Sequence, residues 1–264
     1  MSALTQKDHE LLAAIRQLRL PGMAESIENQ LENGLAYARL DFTDRLIEAV
    51  QAQQDYARQR SYENAMKRAN LPWKTTLNDF AGLGDRGVGS QELRDLAALK
   101  WVRKAVNLII VGHSGAGKST LASAIGENAI RSGFKAAYWA TDDLVDSLTA
   151  IPDHRQYQRA MKGLARTQVL ILDDFLNGAV TRPRIDALYN VLMMRSGKSP
   201  TVICTQIVPE GFKDMLIAGA ESSCGMKDVP MASIDSIADR LLNPSHVIRL
   251  TGESLRKLAD SSIS

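Results

Sequence analysis

Apolar residues recur at helical spacing through the first seventy positions of the chain and then give way to short unbroken runs. Leu11, Leu12, Ile15 and Leu18 mark a first helix, broken at Pro21-Gly22. A second helix is expected from about Met23 to Asn33, with Gly34 as its C-terminal stop. A third, long helix starts near Thr43 as its N-cap, carries Leu46, Ile47, Val50, Ala57, Ala65 and Met66, and ends before Pro72. Tyr37, Phe42, Tyr56 and Tyr62 are expected to pack within this helical part. From Trp73 to Ser90 the text is loop-like, with Gly82, Gly84, Gly87 and Gly89 in close succession.

After Ser90 the runs Val106–Val111, Ala136–Trp139, Val169–Leu172, Val202–Cys204 and Val247–Leu250 alternate with helical stretches at 119–131, 142–149, 155–166, 183–195 and 233–242. Short apolar strands separated by helices belong to a parallel sheet covered on both faces. The pattern predicts an α/β domain with five parallel strands over residues 91–264. A helical domain (1–70) and a connector (71–90) precede it.

Two of the strands end in chemistry. Gly112-His113-Ser114-Gly115-Ala116-Gly117-Lys118-Ser119 fits G-x-x-x-x-G-K-[ST], with a strand before it and a helix after it. The glycines let successive N–H groups turn inward as an anion cradle, and the following helix aims its positive end at the same place. Lys118 supplies a compact cation for outer phosphates, and Ser119 a hydroxyl for magnesium. The expected nucleotide contacts run from Gly112 through Thr120. Val169–Leu172 delivers Asp173 and Asp174 to the carboxyl edge of the sheet, where ligands of open α/β sheets collect. Asp173 is expected to hold the magnesium and Asp174 to polarise an attacking water. Behind a phosphate loop, such a pair points to a nucleotide triphosphatase or phosphoryl transferase. Thr205 and Gln206 close another strand and could face that water, or simply end the strand. Arg240 could reach a neighbouring subunit's phosphate, or form a surface salt bridge with Asp235 or Asp239.

Composition narrows the setting. The 264 residues are 45% hydrophobic and 23% charged, the range of soluble globular chains and not of disordered or collagen-like ones. The apolar runs are far short of a membrane span. The first ten residues lack a basic-then-apolar export pattern, and Cys204 and Cys224 are too few for a disulfide framework, so a reducing cytoplasm is the expected compartment. The formal net charge of +2 taken alone argues against nucleic acid, but its distribution does not. Arg58, Arg60, Lys67, Arg68 and Lys74 face Glu63 alone over their stretch. Arg155, Arg159, Lys162 and Arg166 stand in a segment without any acid, at spacings of three and four.

From about Trp73 to Lys257 the sequence resembles the IstB/DnaC clade of AAA+ ATPases, and more narrowly the IstB-type transposition helpers of insertion sequences. The resemblance is carried by Gly112–Ser119, Val169–Asp174, the strand end at 201–206, Ile237-Ala238-Asp239-Arg240-Leu241-Leu242 and Gly252-Glu253-Ser254-Leu255-Arg256. Leu18-Arg19-Leu20-Pro21-Gly22-Met23 extends it to the amino-terminal helices. It implies an AAA+ P-loop core binding ATP and Mg2+, with Arg240 as a trans-acting arginine finger, Arg256 at sensor 2 and Thr205 or Gln206 at sensor 1. It also implies a core without the C-terminal helical lid, closed by an adjacent copy of itself. The implied partners are duplex DNA and a cognate transposase, with no membrane. Arg155, Arg159, Lys162 and Arg166 fall where the family contacts DNA, and Arg58, Arg60, Lys67 and Arg68 form a second candidate. The rival readings are a DnaC-like helicase loader, a nucleotide-gated DNA scaffold with negligible turnover, and a small-molecule P-loop kinase.

Overall fold

Thr5 and Asp8 cap each other at the start of α1 (Gln6–Gln17): the Asp8 N–H donates to Thr5 Oγ1, and the Asp8 carboxylate accepts from the Thr5 N–H at 2.8 Å. A computed structural model describes residues 4–83, 85–177, 181–224, 230–252 and 254. The chain divides into two units, Met1–Asn64 and Ala65–Ser264.

In the first unit, Leu12 and Ile15 of α1 bury against Ala24 of α2 (Pro21–Glu32). Pro21 starts α2, where its missing N–H costs nothing. Gly34 does not stop α2: Asn33 closes it, and Gly34 opens the short α3 (Gly34–Tyr37). The long helix α4 (Phe42–Ala69) is capped by Asp41, whose Oδ1 accepts from the Asp44 N–H at 2.8 Å, and not by Thr43. Phe42, expected in the packing, is 78% exposed because it stands on the first turn outside any cluster of this unit. In the second unit α4 ends before Asn70, which takes a left-handed φ of 54° ahead of Leu71-Pro72.

The loop-like stretch after Trp73 contains α5 (Leu77–Ala81), started by a reciprocal Thr76–Asp79 cap, and it buries Leu77 and Phe80. Then come α6 (Ser90–Ala97), α7 (Lys100–Arg103), β1 (Asn107–Val111), α8 (Lys118–Arg131), β2 (Ala136–Ala140), α9 (Thr141–Thr149), α10 (His154–Arg166) and β3 (Val169–Asp173). The chain continues through α11 (Arg182–Arg195), β4 (Thr201–Thr205), α12 (Phe212–Cys224), α13 (Met231–Leu242) and β5 (Ser245–Arg249). All five strands are parallel, in the order β2-β3-β4-β1-β5.

Successive residues of the strands divide between two cores. Leu108, Ile110, Val169, Ile171, Val202 and Cys204 join the cluster with α8, whereas Ile109, Val111, Leu170, Leu172 and Ile203 join the one with α9 to α13. Every strand position of β1, β3 and β4 is therefore buried, which is why their sequences read as unbroken apolar runs. Each buried Val, Leu or Ile of these strands contributes roughly 1.5–3 kcal/mol.

One fully buried cation lies at the far end of the sheet. Arg195, at the end of α11, donates to the carbonyls of Leu164, Thr167, Gln168 and Pro200 and to Thr201 Oγ1. Burial pushes its guanidinium down to about 10, so it stays charged at neutral pH. It ties the end of α10 and the approaches to β3 and β4 to one point.

Candidate nucleotide site

The same strand parity that divides the core assembles the site. Asp173 follows Val169 and Ile171 on the face of the sheet that carries α8, and Tyr138 shares that face with Ala136. Gly112–Gly117 leads from β1 into α8, with Gly115 and Gly117 at φ 83° and 99°, values that a side chain rarely adopts. Lys118 opens α8, and its Nζ donates to the carbonyls of Gly112 (2.8 Å) and His113 (2.9 Å), spanning the loop from within. The His113 ring nitrogens lie 2.7 Å from the carbonyls of Ser114 and of Gly252. Ser254 sits so close to Gly115 that a Cβ there would lie 2.1 Å from its hydroxyl. The segment after β5 thus lies against the loop that follows β1.

Ser119, one residue into α8, donates its hydroxyl to Asp173 Oδ2 at 2.5 Å. The Tyr138 hydroxyl donates to the same oxygen. Thr141 Oγ1, at the start of α9, donates to the Asp173 carbonyl at 2.7 Å. Asp173 Oδ1 is buried and has no hydrogen-bond partner among the described residues. A buried carboxylate oxygen without a donor is costly, and beside a hydroxyl it is a donor set suited to a hard divalent cation. The residues therefore fit magnesium. Burial, and then the bond to Asp173, raise the Tyr138 phenol well above its ordinary value. Cys204, fully buried below Lys118, is likewise raised by burial and is an inert thiol.

Tyr138 and Thr141 carry no motif in the sequence. The signal was the parity of β2, which sets Tyr138 on the α8 face, together with a hydroxyl at the first turn of the next helix.

The remaining expected residues are distributed as follows. Thr120 stands half-buried on the first turn of α8. Asp174 is exposed just past β3 with a φ of 51°, and its Oδ1 accepts from Asn177 Nδ2 at 3.0 Å. Thr205 belongs to the opposite face: its hydroxyl donates to the Phe175 carbonyl (3.0 Å) and accepts from the Ile207 N–H (3.1 Å). Gln206, the next residue, is exposed at the carboxyl edge of the sheet. Arg240 is not brought to the loop within the chain. Its carbonyl accepts from Asn107 Nδ2 at 2.7 Å, at the opposite end of β1 from Gly112, and its guanidinium donates to the carbonyl and hydroxyl of Ser236. Asp235 instead pairs with Lys213 at 2.6 Å, and Asp239 accepts from Asn243 at 3.0 Å. Arg256 lies outside the described residues.

The two basic clusters differ in form. On α10, Arg155, Arg159, Lys162 and Arg166 are all exposed and fall within a stripe of about 60° at 3.6 residues per turn. Met161 and Leu164 anchor the other side of the helix in the core. On α4, Arg58 pairs with Asp55, and Arg60 donates to the Tyr56 hydroxyl at 3.0 Å. Two residues apart, Arg58 and Arg60 lie on nearly opposite sides of the helix. Lys67 and Arg68 are exposed near its end. No described helix is long and apolar enough to cross a membrane.

Residues 13–262 match the family model described as "IstB-like ATP binding protein". The chain is 28% identical to the "Insertion sequence IS21 putative ATP-binding protein" of Pseudomonas aeruginosa, over 94% of this chain and 89% of that one. Its fold is similar to that of the DnaI crystal structure, with a TM-score of 0.56 at 18% identity, covering 67% of this chain and 92% of that one. It is also similar to the crystal structure of the DnaC helicase loader, with a TM-score of 0.51 at 16% identity over 68% and 98% of the two chains.

Proposed function

Because this chain belongs to the IstB-like ATP-binding protein family, we propose that it is a magnesium-dependent ATPase that assembles with copies of itself on duplex DNA and assists a transposase. The observation that carries the ATPase reading is the Ser119–Asp173 contact at 2.5 Å behind the glycine-rich loop, with an unpartnered Asp173 oxygen beside it. The insertion-sequence name of its relative supports the setting in transposition.

In this reading the loop N–H groups and the positive end of α8 hold the phosphates, and Lys118 exchanges its loop carbonyls for phosphate oxygens. Ser119 and Asp173 would hold magnesium, which when bound offsets charge on the outer phosphates. Asp174 orients and polarises the attacking water from the carboxyl edge of β3. Gln206 takes the sensing position at the end of β4, because Thr205 is committed to the opposite face. Arg240, remote from the loop of its own chain, serves a neighbouring copy, so a complete site requires assembly. The stripe on α10 tracks a phosphate backbone with sequence-independent affinity.

Lys118→Ala tests the assembly. ATP-dependent association on duplex DNA, followed by electron microscopy and phosphate release, is expected to be lost with the lysine. Wild-type assembly by the variant would sink the mechanism. Preference for single-stranded over duplex DNA would favour a helicase-loader role instead.

A further inference from the structure

Asp173 is fastened by more than the phosphate-loop helix. Tyr138, near the end of β2, donates its hydroxyl to Asp173 Oδ2, the oxygen that also accepts from Ser119 at 2.5 Å. Oδ2 thereby takes both donors, and Oδ1 stays buried with none. The Tyr138 ring is half-buried against the α8-side core, so the hydroxyl is presented from a fixed strand and not from a flexible surface chain. The two donors differ in what they can do next. Ser119 is itself a candidate cation contact, and a hydroxyl turned toward a cation no longer donates to Asp173 in the same way. Tyr138 has no such second task and continues to hold the carboxylate.

We propose that Tyr138 is a positioning residue whose hydroxyl pins Asp173 Oδ2 and so presents Oδ1 to the divalent cation that accompanies the nucleotide. This rests on the reading of Ser119 and Asp173 as the cation-holding pair. Phenylalanine at this position would keep the ring packing and remove only the bond. The carboxylate could then rotate, and the cation would have to order it on binding.

The test compares Tyr138→Phe with wild type in binding a fluorescent ATP analogue, titrated with Mg2+ and repeated in EDTA. A bond from a phenol to a carboxylate predicts a half-saturating Mg2+ concentration raised by roughly threefold to tenfold. Binding in EDTA is expected to stay as in wild type, and the melting midpoint to fall by only a few degrees, the loss of one hydrogen bond. Incorporating 3-fluorotyrosine at position 138, which retains the hydroxyl, is expected to restore the wild-type Mg2+ midpoint. An unchanged midpoint in Tyr138→Phe overturns the proposal. A variant that loses melting stability and EDTA binding together with Mg2+ response also overturns it, since that assigns Tyr138 to folding alone. Nucleotide binding by wild type that is indifferent to Mg2+ would instead overturn the cation-pair reading itself.

Discussion

The stripe on α10 gives a quantitative prediction for DNA. Arg155, Arg159, Lys162 and Arg166 are exposed on one side of a helix whose other side is held by Met161 and Leu164. From Arg155 to Arg166 they extend about 17 Å along the helix axis. If each neutralises one phosphate, log K against log salt falls with a slope of about −3.6 per bound protomer. Raising salt from 50 to 200 mM then weakens binding by roughly a hundredfold per protomer. The double variant Arg159→Ala/Lys162→Ala removes half of these contacts and no buried side chain, so the slope is expected to become shallower by about 1.8 per protomer. Fluorescence anisotropy of a labelled duplex with saturating ATP, at several salt concentrations, reads this directly. Different duplex sequences should lose affinity equally, since phosphate contacts carry no sequence information. An unchanged slope, with melting and nucleotide binding also unchanged, would refute the assignment of α10 to DNA.

Arg195→Met should be among the most destabilising single changes in the second unit. It leaves the carbonyls of Thr167 and Pro200 without this donor, at about 1–3 kcal/mol each, and is expected to lower the melting midpoint by roughly 4–24 °C in calorimetry. Gly117→Ala forces a side chain to φ 99°, and nucleotide titration is expected to show weakened binding at a strain of about 1–2 kcal/mol. Arg240→Ala and Lys118→Ala should each lack phosphate release alone, whereas a mixture of the two should recover part of it, because shared interfaces then combine an intact loop with an intact arginine. No recovery in the mixture removes Arg240 from the trans role. Hydrogen bonds from the Thr76 N–H and then its hydroxyl hold the Asp79 carboxyl below its ordinary range. The depressed folded value means this cap supports α5 above the ordinary carboxylate range and fails as the pH drops through the lowered one. Thr76→Val should move the Asp79 midpoint upward in an NMR titration.

The central sheet was legible because its strands are buried on both faces, so burial alone wrote their sequence. The loop at 112–119 was legible for a different reason: its glycines serve local backbone conformations, which a linear pattern records. Thr205 was harder. Its place at a strand end was readable, but only pairing with β1 and β3 sets which face it takes, and that parity turns its hydroxyl toward Phe175. Gly34 misled because glycine permits a left-handed stop without requiring one, and Asn33 closed the helix first. The helix α5 was hidden among glycines, although Thr76-x-x-Asp79 is a capping signature. The α12 helix went unread although Phe212, Leu216 and Ala220 repeat every four residues and are all buried. Tyr138 lay beyond any motif, since its partner is on another strand.

The neighbours of β1 bear on how the protein is made. The nucleotide loop emerges from the ribosome directly after β1, yet β1 is flanked by β4 and β5, and His113 and Gly115 meet Gly252 and Ser254. Translation therefore delivers every letter of the phosphate-loop motif long before the residues that seat it. A nascent or truncated chain ending after β4 would carry both nucleotide motifs and still lack the strand and segment against which the loop is set. Parallel, long-range pairing of this kind is slow to form, and the finished seat of the loop depends on β5 and the segment after it.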